Sequence, residues 1–408
     1  MALAVGDLVS NFGFALVFPF FSLYLTLSLG ASLFQAGLLL GVYGICRVIS
    51  TGTAGWLVDR FGRRPVMLVS IVATSVLLAG MALTRDITTT ALLLLALGLF
   101  DPAFTPAARA AVSDVVPDAR RPRAFGVLAV AQNVGWIAGP AIGAGLASFG
   151  YSLLFSVAAV AVASYAFVLL KFVRETRPVD DLLKHDPPPG KAGEWPPPSA
   201  PPVSAAVAAS VRRSAAVFAV FVLLIFLVHI AEAQWFTTLP VYGVDHLGLS
   251  TELWGLLFAL NGLLIVLLQL PLTRVMERRP KLPLIAFAVL ATGAAYGLVV
   301  LIPGPGLALP FLAGLMVLIT IGEMIFLPLL PSFAADLAPE RARGRYQGAL
   351  EGAVAAGAVL GPPLGGFCLE AAPGVLLWAI SAVVCVAGGI GLWLLGAWLA
   401  RHPITSAA

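Results

Sequence analysis

Asp101 and Glu323 each stand alone in a long apolar stretch. An ionisable side chain inside a membrane-length apolar run costs about 2.5–3.5 kcal/mol on insertion scales and marks a functional position. An acid flanked by Ile321, Met324, Ile325 and Phe326 suits one chemistry above others, the uptake and release of a proton. Arg47 is equally isolated and needs a carboxylate or a watery cavity beside it; Asp7 and Asp101 are its candidates. Asp7 and Asn11 open the first apolar run. His229 and Glu232, at i and i+3, share a helical face and form a further proton-coupling candidate. Glu351 and Arg109 read as gate or latch residues. Phe14, Phe18, Tyr24, Phe104, Trp136, Trp235, Phe236, Tyr242 and Phe326 are candidates to line a cavity for hydrophobic solutes.

Other chemistries lack their residues. There is no Walker A sequence, nucleophile elbow or His/Cys metal cluster, and Cys46, Cys368 and Cys385 show no metal-ligand spacing. An enzyme, an ATP-driven pump and a metal or organic cofactor are therefore not expected.

These groups must be held by membrane-spanning helices. The 408 residues are 60% hydrophobic and 11% charged, against about 25% charged in soluble domains. Runs of about 20 apolar residues, enough to cross a bilayer, occur twelve times: 4–28, 33–58, 65–83, 88–113, 122–148, 150–172, 214–242, 251–274, 282–302, 307–336, 345–370 and 374–400. A Pro-rich polar stretch separates the sixth from the seventh and reads as an extended linker. The expected organisation is all-α: a six-helix bundle over 1–173, a linker over 174–213, and a second six-helix bundle over 214–408. Of the 24 Lys and Arg, 21 fall on one side of this arrangement and Arg85 on the other. The positive-inside rule puts the linker and both termini in the cytoplasm. The net charge of +4 follows from topology and needs no nucleic-acid partner.

The halves repeat. A shift of 222 residues pairs Asp101 with Glu323, Pro106 with Pro328, Asp114 with Asp336 and Pro117 with Pro339. It also pairs Gly126, Gly135, Gly139, Pro140 and Gly143 with Gly348, Gly357, Gly361, Pro362 and Gly365. Parallel repeats favour a site at the interface of two halves. If their helices end near Val116 and Ala338, Asp101 and Glu323 each lie 15 residues inside, about 22 Å and close to the midplane.

Between runs two and three stands Gly55-Trp56-Leu57-Val58-Asp59-Arg60-Phe61-Gly62-Arg63-Arg64. It resembles the loop signature of the major facilitator superfamily, G-x-L-x-D-R-x-G-R-R. Gly62 suits a tight turn and Gly55 a close helix approach. The resemblance implies that Asp59 meets the start of helix eleven. It further implies that a basic residue of the loop pairs with an acid ending helix four, where Asp114 stands. Together these would latch the halves in the outward-open state. The second half keeps only Arg274-Val275-Met276-Glu277-Arg278-Arg279, without the glycines. Run five carries Gly126-x8-Gly135-x3-Gly139-Pro140-x2-Gly143, which resembles the motif of the family's drug:proton antiporters. Its recurrence in run eleven favours a packing role.

The resemblance covers nearly the whole chain. It implies a monomeric carrier of the bacterial inner membrane, driven by the proton motive force, that expels lipophilic small molecules, cations among them, by alternating access. Its partners would be small-molecule substrate, protons and the lipid bilayer. Two alternatives stand beside it: a carrier of the same superfamily moving a metabolite, sugar or lysolipid, and a non-transporting sensor with the same fold.

Overall fold

The computed structural model describes residues 2–117, 121–173, 175, 205–277, 279–339 and 342–402. The side chains of 2–7, 10, 121–133, 137, 205–212, 305 and 343 lie outside the described set, and with them those of Asp7 and Gly126. Residues 176–204 of the expected linker also lie outside it.

Twelve helical spans follow one another, with no strand among the described residues. The first, α1, is Ala2–Val17 continued by a 3-10 turn at Phe18–Phe20, a short helix at Phe21–Leu23 and a π turn at Tyr24–Ser28. Then come α2 (Leu33–Phe61), α3 (Arg63–Leu83), α4 (Ile87–Val115, with a 3-10 turn at Asp101–Ala103), α5 (Arg121–Ser148) and α6 (Tyr151–Phe172). The second set is α7 (Ala205–Asp245), α8 (Thr251–Met276), α9 (Lys281–Val300), α10 (Ala308–Leu337), α11 (Arg343–Ala371) and α12 (Gly374–Arg401). Eleven are long and apolar enough to cross a bilayer, and α5 adds the shorter apolar stretch Val134–Ser148. The expected spans and the observed ones agree closely, except that α7 begins at Ala205 inside the expected linker. Beyond Pro202 the chain is rich in Ala and Val with no proline, so nothing stops the helix from starting early.

Local chemistry sets the ends. Ser32 and Gln35 form a capping box at α2, and the Ser250 hydroxyl accepts from Leu253 N–H at α8. Gly62 alone turns α2 into α3, at φ +95°, a backbone region that a side chain would strain.

Glycines let the helices of each half touch. In the first half, Gly135 of α5 lies against Leu8, Asn11 and Phe12 of α1; Gly139 lies against Ala15, and Gly143 against Leu16 and Phe20. In the second half, Gly357 of α11 lies against Phe226 and His229 of α7, Gly361 against Ile230 and Ala233, and Gly365 against Gln234 and Thr238. The motif glycines thus pack α5 on α1 and α11 on α7 in one geometry. The register of this repeat is 218 residues for the first and seventh spans and 222 for the fifth and eleventh. The four-residue difference lies in one turn: three residues (Thr84–Asp86) join α3 to α4, whereas seven (Leu301–Leu307) join α9 to α10.

The two sets of helices meet at the end away from the basic loops. Gly37 and Gly41 of α2 abut Pro362, Val359 and Pro363 of α11; Gly366 abuts Leu33; and Gly255 of α8 abuts Ala144 and the Pro140 carbonyl of α5. Phe34 N–H donates to the Glu370 carboxylate at 2.7 Å. At the basic end, Gly52 and Gly55 of α2 and Gly344, Gly348 and Gly352 of α11 would each meet nothing within 4 Å. The cleft between the halves is open toward the basic loops.

Candidate functional site

Asp101 sits where α4 loosens. Pro102 forces a 3-10 turn, and the Ser70 hydroxyl of α3 donates to the carbonyls of Phe100 (2.8 Å) and Asp101 (3.2 Å). Such side-chain donors are what make an irregular helix tolerable at membrane depth. The turn aims the Asp101 carboxylate at Arg47 of α2, 3.3 Å away, and Arg47 also donates to the Tyr43 hydroxyl at 3.0 Å. Its guanidinium lies over the Phe14 and Tyr43 rings at 5.5 and 5.6 Å, which adds cation–π attraction. Of the two partners expected for Arg47, the structure pairs it with Asp101.

Glu323 has a different setting. Asn261 of α8 donates its amide to Glu323 Oε2 (2.9 Å) and to the Thr320 hydroxyl (3.0 Å). No basic side chain lies within ion-pair distance of Glu323 among the described residues. One turn on, Pro328 removes a backbone donor and frees the Met324 carbonyl, which Gln269 of α8 caps at 3.2 Å.

These two acids border two lobes of one central cleft, and Trp136 lines both. The polar lobe, about 370 Å³, carries Arg47, Asp101, Arg109, Asn11, Thr51 and Thr105 beside Phe14 and Phe104. The apolar lobe, about 230 Å³, is walled by Phe236, Phe258, Ile265 and Leu327, with Asn261 and Glu323 as its polar groups. Aromatic rings join them: Phe18 meets Trp136 at 5.7 Å and Phe236 at 5.9 Å, across the interface of the halves. The arrangement can hold an apolar solute between a guanidinium-bearing wall and a lone carboxylate.

Of the aromatic candidates, Phe14, Phe104, Trp136 and Phe236 line the cleft. Tyr24 instead packs on Tyr151 and Phe155, and Tyr242 packs on Trp378 and His246. Trp235 is fully buried behind Phe236 and Phe258, and Phe326 stacks near His229. Neither His229 nor Glu232 lines either lobe. Their Nε2 and Oε2 atoms stand 3.4 Å apart, while Nδ1 faces the Ile225 carbonyl at 3.1 Å. That carbonyl accepts a hydrogen bond from Nδ1–H, so Nε2 donates to Glu232 only when the ring is doubly protonated. Arg109, expected at a gate, lines the polar lobe. Glu351 is exposed on α11.

At the basic end, Arg63 Nε donates to Asp114 at 2.8 Å, the pairing expected for a basic residue of that loop. Asp59 does not reach α11: its side chain is 78% exposed, with Arg63 Nη1 at 3.7 Å. The cause is the open cleft, which carries the start of α11 away from α2 at this end. Arg60 lies over Trp56 and Phe61. The sequence reading missed Glu175, whose carboxylate accepts from the N–H groups of Arg63 and Arg64 at 3.0 Å each and so caps α3. It also missed Phe258 and Asn261; an amide in the apolar run of α8, facing the repeat's second acid, was the available signal.

Residues 3–350 match the Major Facilitator Superfamily. The chain is 28% identical over 386 residues to the uncharacterized MFS-type transporter YttB of Bacillus subtilis (strain 168), spanning 90% of this chain and 87% of that protein. It is 29% identical to a Na(+), Li(+), K(+)/H(+) antiporter of Planococcus maritimus (84% and 82% of the two chains). It is 27% identical to the multidrug resistance protein MdtH of Cronobacter sakazakii (strain ATCC BAA-894), over 96% and 92%. Among solved structures, a POT family transporter in complex with 5-aminolevulinic acid superposes with a TM-score of 0.77 at 15% identity, covering 98% of this chain and 96% of that one. The nucleoside transporter NupG gives 0.77 at 13%, covering 97% and 98%.

Proposed function

The chain belongs to the Major Facilitator Superfamily, and from that membership we propose that this multi-pass membrane transporter is a proton-coupled exporter of lipophilic small molecules, cations among them. The observation that carries the proposal is Glu323: a carboxylate on an aromatic, apolar lobe, held by a neutral amide. Such a group can take either a proton or the cationic end of a solute, and that exclusivity is what antiport requires. Two of the relatives support it by name, one a multidrug resistance protein and one a cation/H(+) antiporter. Asp101 and Arg47 form the second charged element, on the other half. The basic loops face the cytoplasm, so the present cleft opens inward, where an exporter loads. The Asp59 latch then closes with the cytoplasmic side when the carrier turns outward.

The test uses everted membrane vesicles with an imposed pH gradient and a pH-sensitive dye inside. Lipophilic cations added to wild type should release protons, and Glu323→Gln should abolish the release while leaving the protein folded. Undiminished uphill transport by Glu323→Gln overturns the coupling role. Proton release with sodium or potassium but with no lipophilic compound replaces the drug reading with monovalent-cation exchange.

A further inference from the structure

The cleft is charged unevenly. Its polar lobe holds two guanidiniums, Arg47 and Arg109, against one acid, Asp101, and a guanidinium is always charged. Asp101 is bound to Arg47 at 3.3 Å. Arg109 makes no side-chain hydrogen bond or ion pair with any described residue, yet it lines the lobe beside Thr105 and Pro106. Arg109 is exposed on this open lobe, where an arginine in a spanning helix can face water, and its guanidinium is free to meet an anion that enters the cleft. Across Trp136 the opposite condition holds: Glu323 is the one acid of the apolar lobe, with no cation beside it among the described residues. Trp136 lines both lobes, and the Phe236 and Phe258 rings line the apolar one.

We infer that the substrate is an elongated aromatic zwitterion, its carboxylate seated on Arg109 and its amine on Glu323. The inference deepens the proposed export function and rests on it for the role of Glu323. A guanidinium recognises a carboxylate through a planar, two-pronged donor pair, which an ester or amide cannot satisfy equally. The aromatic body spans the two lobes along Trp136. The amine excludes a proton from Glu323, so the zwitterion and the proton alternate on one side chain, while the carboxylate end selects which amines are accepted. A lipophilic cation alone fills one end and leaves Arg109 unanswered.

The probes are an aminomethyl-naphthoic acid, with amine and carboxylate at opposite ends of the ring system, and its methyl ester, which keeps only the amine. In proteoliposomes, wild type should show a KM for the acid about tenfold below that for the ester, the size of one charge-assisted contact. Arg109→Gln should bring the ratio of the two values near one, and Arg109→Lys should keep part of the preference. If the protein transports neither probe, the same ratio is read from dissociation constants by quenching of tryptophan fluorescence. No preference in wild type, no binding of either probe, or a ratio unchanged by Arg109→Gln overturns the inference. Glu323→Gln tests what the two readings share, and Arg109→Gln what the inference adds. Uphill transport that survives in Glu323→Gln refutes both proton coupling and the amine seat at Glu323, whereas uphill transport that is lost while the acid is still preferred over the ester supports both.

Discussion

Gly37→Ala adds a single methyl group, and its effect follows from where that methyl must go. An ideal Cβ on Gly37 falls on the Pro362 carbonyl, with the Pro363 Cα at 3.0 Å. Both are backbone atoms of α11, and a helix backbone cannot rotate out of the way as a side chain can. Overpacking of this kind costs about 1–3 kcal/mol. The cost arises only while the halves are pressed together at the end away from the basic loops, because opening that end separates α2 from α11. Alanine also favours helix over glycine by about 1 kcal/mol, but α2 is helical in every state of the cycle and that gain cancels. The conformational equilibrium should therefore move away from the present state by roughly fivefold to 150-fold. A single cysteine at Gly55, where nothing lies within 4 Å, reports the state through its rate of alkylation in a background lacking Cys46, Cys368 and Cys385. Gly37→Ala should slow labelling, by up to that factor where the open state is the minor one, and Gly52→Ala, with open space around it, should not. Equal labelling rates in folded Gly37→Ala and its parent would refute the claim that the α2–α11 contact defines this state.

Three further outcomes are expected. Glu175→Ala removes the carboxylate that accepts from Arg63 and Arg64 N–H and should cost about 1 kcal/mol, read as a lower melting temperature in detergent. Arg63→Ala strips Asp114 of its 2.8 Å partner and should cost about 1–3 kcal/mol, with part of the loss recovered in the double variant Arg63→Ala/Asp114→Ala. Asp86 caps α4 by accepting from Thr89 N–H, which holds its carboxyl below the usual range. A lowered folded value means stability present above the unfolded value and lost as pH falls through the folded one. Asp86→Ala should thus lower the melting temperature at neutral pH, with the difference shrinking in acid.

The spans were legible because a bilayer demands some twenty apolar residues in a row, a requirement local to each run. The glycine pattern was legible too, since close approach excludes every larger side chain, and the packing of α5 on α1 and α11 on α7 follows it residue by residue. Asp101 was named as a partner for Arg47 from depth alone. The cleft lining was harder. Tyr24, Trp235, Tyr242 and Phe326 sit on helices apolar on every side, and such helices carry no periodic mark of which face looks inward. Depth could be counted along them but azimuth could not. That Arg109 lines the polar lobe was hidden for the same reason, while Glu175 was lost in a stretch whose prolines suggested no fixed contact.

The turn between α9 and α10, with four residues more than its counterpart, shows where the repeated halves accommodate a difference in length. The count between the duplicated halves is 218 before this turn and 222 after it, and the glycine contacts of α5 with α1 and of α11 with α7 keep one register on either side of it. Loop closure penalises added length only weakly, and the chain Ile302-Pro303-Gly304-Pro305-Gly306 leaves the spans on either side undisturbed. An experimenter needing a handle on this molecule has its position marked already. An epitope or a rigid fiducial domain for electron cryomicroscopy belongs in that hairpin, and antibody access to it on intact cells would reveal which way the protein sits in its membrane.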